Sequence, residues 1–242
     1  MIELEVRNLA GSEILHAFPQ GKMRQPLPTI VFYHGFTSSN LVYSYFAVAL
    51  AQAGFRVVMP NAVEHGSRFQ GDEQGRMQRF WPILLQNFAE FPALRDALLA
   101  ESWVAEGRLA VAGASMGGMT ALGIMTQHPE VKCVASLMGS GYLSQLAETL
   151  FPSTDRWSTQ EVATLAKYDA CRQLMNLANR PLLLWHGTDD DVVPAAESLR
   201  LGEALRQSGL DNQLTCVWQE GVRHRITPEA LACTVKFFSK HL

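Results

Sequence analysis

The chain is short of the features that mark several protein classes. It has four cysteines and no Cys-x-x-Cys pair. Cys133, Cys171, Cys216 and Cys233 each fall in or beside an apolar stretch, so they read as buried free thiols. No segment approaches the roughly 18 uninterrupted apolar residues that a membrane-spanning helix needs. There is no basic block, and 20 Lys plus Arg stand against 23 Asp plus Glu; electrostatic binding to nucleic acid therefore has no support. The opening Met1-Ile2-Glu3-Leu4-Glu5-Val6-Arg7 alternates apolar and charged residues and lacks the apolar centre of a signal peptide. Internal repeats, low-complexity segments and His-Glu-x-x-His metal spacing are missing too. The expectation is a cytoplasmic protein with no membrane or nucleic-acid partner, no metal and no cofactor, its oligomeric state open.

What is present is a rhythm. Apolar runs at Thr29–Tyr33, Phe55–Met59, Leu109–Ala112, Cys133–Met138, Leu182–Trp185 and Gln213–Trp218 read as strands buried on both faces. Helical patterns stand between them: Tyr43 to Ala53, Met77 to Ala100 (kinked or divided by Pro82 and Pro92), Met119 to Gln127, and Ala195 to Gln207. Pro228 opens a closing helix. Two short strands, Ile2–Val6 and Glu13–Phe18, precede the series. Alternation of this kind implies a mostly parallel sheet with helices on both faces, here with eight strands in a single domain over residues 1–242. The segment from about 141 to 180 breaks the rhythm and reads as a small helical cap over the carboxyl ends of the strands.

The chemistry centres on Gly113-Ala114-Ser115-Met116-Gly117, where an apolar strand gives way to a helix. A Gly-x-Ser-x-Gly turn at such a junction is a nucleophile elbow, which holds the serine hydroxyl out from the sheet edge. Serine needs a base to take its proton, and the base needs a carboxylate to orient it. Both belong at the carboxyl ends of later strands. His224 follows the last strand, and Asp189-Asp190-Asp191 follows the strand before it. Spacing alone leaves the acid open among the three aspartates; a divalent-metal role for them is poor, since adjacent loop residues seldom converge on one ion. Donors for a tetrahedral oxyanion are expected from the N–H of Met116 and, in the loop His34-Gly35-Phe36 after Thr29–Tyr33, from that of Phe36. His34 itself reads as a hydrogen-bonded structural residue.

These segments together resemble the α/β-hydrolase superfamily, in particular the branch containing dienelactone hydrolase and the prolyl oligopeptidase catalytic domain. The resemblance rests on the elbow, on His34-Gly35-Phe36, on His186-Gly187-x-x-Asp190-x-x-Val193-Pro194 and on Gly221-x-x-His224. It runs the full length. In that branch the acid falls on Asp190. The resemblance implies an α/β-hydrolase fold and a cofactor-free serine carboxylesterase acting on small, short-chain esters. Ser115 stands where dienelactone hydrolase has cysteine, which favours ester over lactone hydrolysis. A small-amide peptidase or acyltransferase on the same triad, and a non-catalytic binding protein, are the alternatives. For the substrate pocket, His65 and Arg68 are candidates because Glu64–Arg68 also reaches the carboxyl edge. Trp81, with Met77 and Phe80, is a candidate acyl-pocket wall. So are Leu146, Leu150, Phe151 and Trp157 of the cap. Local hydrogen bonding or core packing is the competing role for each.

Overall fold

The alternating faces of the central strands divide the core in two. In the computed structural model, which describes residues 1–152 and 159–242 (the side chains of residues 159, 160 and 162 excepted), the described strands form one eight-stranded sheet in the order β1-β2-β4-β3-β5-β6-β7-β8. They are β1 (Ile2–Leu9), β2 (Ser12–Pro19), β3 (Leu27–Tyr33), β4 (Arg56–Pro60), β5 (Val104–Ala114), β6 (Cys133–Leu137), β7 (Leu182–Gly187) and β8 (Leu214–Gln219). β1–β2 and β2–β4 pair antiparallel, and every other pairing is parallel.

Successive residues of a strand point to opposite faces. Val31, Tyr33, Val58, Val111 and Leu184 join a core with α3 (Phe80–Ala100), α4 (Met116–Gln127) and α8 (Ala196–Gln207). Their neighbours Ile30, Phe32, Val57, Ala112 and Trp185 join a second core with α1 (Ser44–Gln52) and α9 (Pro228–His241). Helices thus cover both faces, which is why the central strands are apolar throughout and not alternating.

Two expectations need correction. The helical stretch beginning near Met77 is divided at Arg79, between α2 (Glu73–Gln78) and α3, and not at Pro82. Pro82 occupies the first turn of α3, where a missing N–H costs no hydrogen bond, and Pro92 lies within the continuous α3. Of the cysteines, only Cys133 is fully buried, its thiol pushed up to about 12 by burial; the other three are half-buried, and all four are free. Between β6 and β7 the described residues form α5 (Leu143–Leu146), α6 (Thr159–Ala166), a 3-10 turn at Ala170–Arg172 and α7 (Leu174–Leu177).

Candidate active site

At the end of β5 the chain reverses within one residue. Ser115 has φ 57° and ψ −118°, a conformation that side chains rarely adopt and that marks stored backbone strain. The turn is tight enough to demand glycine on either side. A Cβ on Gly117 would lie 2.0 Å from Tyr33 O, and one on Gly113 would lie 2.3 Å from Gly117 O. Ser115 N–H donates to Leu137 O at 2.8 Å, which ties the strained residue to β6.

His224 follows β8 and reaches this serine. Its Nε2 is 2.9 Å from Ser115 Oγ, while its Nδ1 is 2.9 Å and 2.8 Å from the two carboxylate oxygens of Asp190. An ionised carboxylate only accepts, so the Nδ1 carries the proton and Nε2 is free to accept from the serine hydroxyl. The loops bearing acid and base approach closely because β7 ends in glycine; a Cβ on Gly187 would lie 2.3 Å from Val222 O.

Geometry separates the three aspartates. The Asp190 side chain is wholly buried, and Oδ1 also accepts from the Val192 and Val193 N–H groups at 2.9 Å each. Burial alone would raise its carboxyl. The hydrogen bonds from His186, His224 and Val192 and the charge of His224 outweigh that, holding it well below the usual carboxylate range. Asp191 instead pairs with Arg223 at 2.6 Å and accepts the His224 backbone N–H at 3.4 Å. Asp189 accepts from the Thr188 hydroxyl at 3.0 Å.

The loop after β3 packs against the elbow: a Cβ on Gly35 would lie 3.6 Å from Ser115 Cβ. Two histidines shape it. His34 Nε2 accepts from Ala62 N–H at 3.0 Å, and His65 Nε2 accepts from Thr37 N–H at 2.9 Å. Their Nδ1 atoms lie 2.8 Å from the carbonyls of Gly35 and Val63 respectively. Burial lowers both rings, His34 to about 4, so both are neutral ties between this loop and the one after β4. Among the described residues neither Phe36 N–H nor Met116 N–H has a hydrogen-bond partner. Met116 opens α4, where the backbone donors of the first turn have no partner in the helix.

Ser115 and His224 line a pocket of about 220 Å³ with Phe36, Thr37, Met77, Phe80, Leu150, Phe151, Val192 and Val193. Met77, Phe80, Leu150 and Phe151 were expected there and line it, whereas His65, Arg68, Trp81 and Leu146 lie elsewhere. His65 is buried and committed to Thr37 and Val63. Arg68 donates to both oxygens of Glu90 at 2.8 Å and faces a separate cavity of about 270 Å³. Trp81 is buried behind the wall, its indole N–H donating to Leu150 O at 3.0 Å. Leu146 packs into the core, and Trp157 lies outside the described residues. The linings contributed by Thr37, Val192 and Val193 escaped sequence reasoning. Val192 and Val193 directly follow the aspartate run, and that adjacency was the available signal.

Sheet order, elbow and covering helices define an α/β-hydrolase fold. Residues 42–242 match the prolyl oligopeptidase family, and the chain belongs to that family. It is 59% identical to a protein named esterase YjfP from Escherichia coli K12 over the whole length of both. YitV of Bacillus subtilis is 30% identical, again over the full length of both chains. The crystal structure of TT1662 from Thermus thermophilus superposes with a TM-score of 0.83 at 21% identity, covering 99% of this chain and 98% of that one.

Proposed function

We propose that the protein is a serine carboxylesterase for small neutral esters with short acyl groups, and that Ser115, His224 and Asp190 are its triad. The observation that carries this reading is the unbroken hydrogen-bonded line from the strained Ser115 through His224 to the buried Asp190. A full-length relative named an esterase supports it. His224 Nε2 takes the Ser115 proton as Oγ bonds to the ester carbonyl carbon, and Asp190 stabilises the imidazolium that forms. The N–H groups of Met116 and Phe36 hold the oxyanion. Collapse breaks the carbon–alkoxy bond, and His224 returns the proton to the leaving alcohol. Water then attacks the acyl-enzyme with the same histidine as base, releasing the acid and restoring Ser115.

The pocket wall argues for the acyl class. Apart from the triad histidine, none of its described lining residues carries a charge, and Arg68 is paired to Glu90. An unpaired ammonium or carboxylate on the acyl part would be desolvated without a partner. That disfavours free aminoacyl amides, the main alternative on this triad. The whole chain acts as one domain with the segment from about 141 to 180 as its cap. It works in the cytoplasm, a reading supported by four unpaired cysteines. Among the described residues no helix is long and apolar enough to cross a membrane.

A p-nitrophenyl ester series from acetate to decanoate, run beside aminoacyl p-nitroanilides, tests this reading. Short esters are expected to exceed the anilides in kcat/KM by about a hundredfold or more, since a buried unpaired charge costs that much. Comparable anilide cleavage would replace the esterase with a peptidase. Within the series, Phe151 sets the acyl limit: its ring lies 4.9 Å from Phe80 and 5.4 Å from Phe36. It stands at φ 47°, so Phe151→Gly removes the wall and relaxes the backbone at once. That variant is expected to raise the octanoate-to-acetate ratio of kcat/KM about tenfold; an unchanged ratio would rule out Phe151 as the limit.

A further inference from the structure

Asp190 is held by more than the histidine it orients. His186 lies near the end of β7, four residues before the acid, and is wholly buried. Its Nε2 is 3.1 Å from Asp190 Oδ2 and 2.9 Å from Val193 O. Both of those atoms only accept, so Nε2 carries a proton. On the other side, Nδ1 is 2.7 Å from Ser198 Oγ on α8, and that hydroxyl is 3.2 Å from Gly139 O. If the hydroxyl proton points to Nδ1 the ring is neutral; if it points to Gly139 the ring donates from both nitrogens. In either state Nε2–H faces the acid.

The two oxygens of Asp190 are anchored differently. Oδ1 accepts from the Val192 and Val193 N–H groups of its own loop. Among the described residues, Oδ2 has His186 as its only donor besides His224. Without His186 the carboxylate is fixed at one corner by its own loop and held at the other by His224 alone. One ring therefore joins the acid loop to α8 and to the chain leaving β6.

We propose that His186 is a positioning residue for the triad acid: its Nε2–H pins Asp190 Oδ2 against His224 and shares the carboxylate charge with it. The proposal rests on the triad reading above. Its pH consequence has a definite sign. A carboxylate that loses one donor presents more charge to the remaining one, which favours the His224 imidazolium. The acid limb of kcat/KM, which reports His224 losing its proton, then moves to higher pH. The other charged groups around this cluster are Asp189, Asp191 with Arg223, and Glu197 with Arg200 beside Ser198. All remain in the variants below, so a displaced limb belongs to His186.

The test compares His186→Leu with His186→Gln, whose amide nitrogen restores a donor near the place of Nε2. In the leucine variant kcat is expected to fall about tenfold or more with KM within about twofold, and the acid limb to rise by about half a pH unit or more. Glutamine is expected to recover most of both. A limb at the wild-type position in the leucine variant would overturn the proposal, as would equal impairment of the two variants with no displacement, which is the pattern of a packing role. Should the leucine variant fail to fold, Ser198→Ala removes the outer anchor of the ring and leaves the ring in place. A smaller displacement in the same direction is then expected, and an unmoved limb overturns the proposal. Wild-type enzyme inert toward both esters and a fluorophosphonate would sink the triad reading itself; active wild type with an unmoved limb sinks only the role of His186.

Discussion

Ser115→Ala is expected to lower kcat on a p-nitrophenyl ester by about four to six orders of magnitude, the loss seen when a nucleophile acting as part of a triad is removed. The fold should survive. Alanine keeps the Cβ that the φ 57° backbone already tolerates, and the N–H bond to Leu137 O is untouched. The hydroxyl removed makes its side-chain hydrogen bond to His224, which is 18% exposed and can turn to water. Circular dichroism and thermal unfolding close to wild type, beside the lost turnover, would separate a chemical role from a structural one. Retained turnover would refute the assignment of Ser115.

The second large effect discriminates among neighbours. Asp190→Asn should cut kcat/KM by about four orders of magnitude near neutral pH. An amide at this position meets two backbone donors on one side, Val192 and Val193 N–H, which claim its carbonyl oxygen. Its NH₂ group then faces His224 Nδ1, and the imidazole is driven to carry its proton on Nε2. That nitrogen can no longer accept from Ser115. Asp189→Asn leaves the Thr188 hydroxyl its carbonyl acceptor, and Asp191→Asn mainly weakens an exposed pair with Arg223. Each should stay within about tenfold of wild type. Kinetics of the three single variants on one ester decide the matter, and equal losses would contradict the choice of Asp190.

These contrasts also mark how far the sequence could be read. The strands were legible because a sheet covered on both faces requires continuous apolar runs, and Val31 and Tyr33 serve one core while Ile30 and Phe32 serve the other. Ser115 and the loops bearing Asp190 and His224 were legible because topology sends strand ends to one edge. The choice among three consecutive aspartates was not set by spacing. It depends on which side chain the turn after Gly187 directs inward, and on two N–H groups that wait for it there. Arg68 shows the opposite failure. Its position after β4 suggested the site, but Glu90, 22 residues further on, captures it, and no local pattern announces such a partner. The pocket wall was legible in part, since Met77, Phe80, Leu150 and Phe151 line it while Trp81 does not. Phe151 stacks on Phe80 beside the bond from the Trp81 indole to Leu150 O, a contact made between segments 69 residues apart in the chain. His186 stood in plain view within its motif, yet its bond to Asp190 is visible only in three dimensions.

The measurement closest to the central claim is covalent labelling by a fluorophosphonate, read by intact mass and peptide mapping. An activated serine attacks phosphorus, displaces fluoride and keeps the phosphonyl group. One adduct per chain is expected, on the peptide carrying Ser115, absent from Ser115→Ala and formed far more slowly in Asp190→Asn. A chain that stays unlabelled while folded, or that carries its adduct on another residue, would contradict the account.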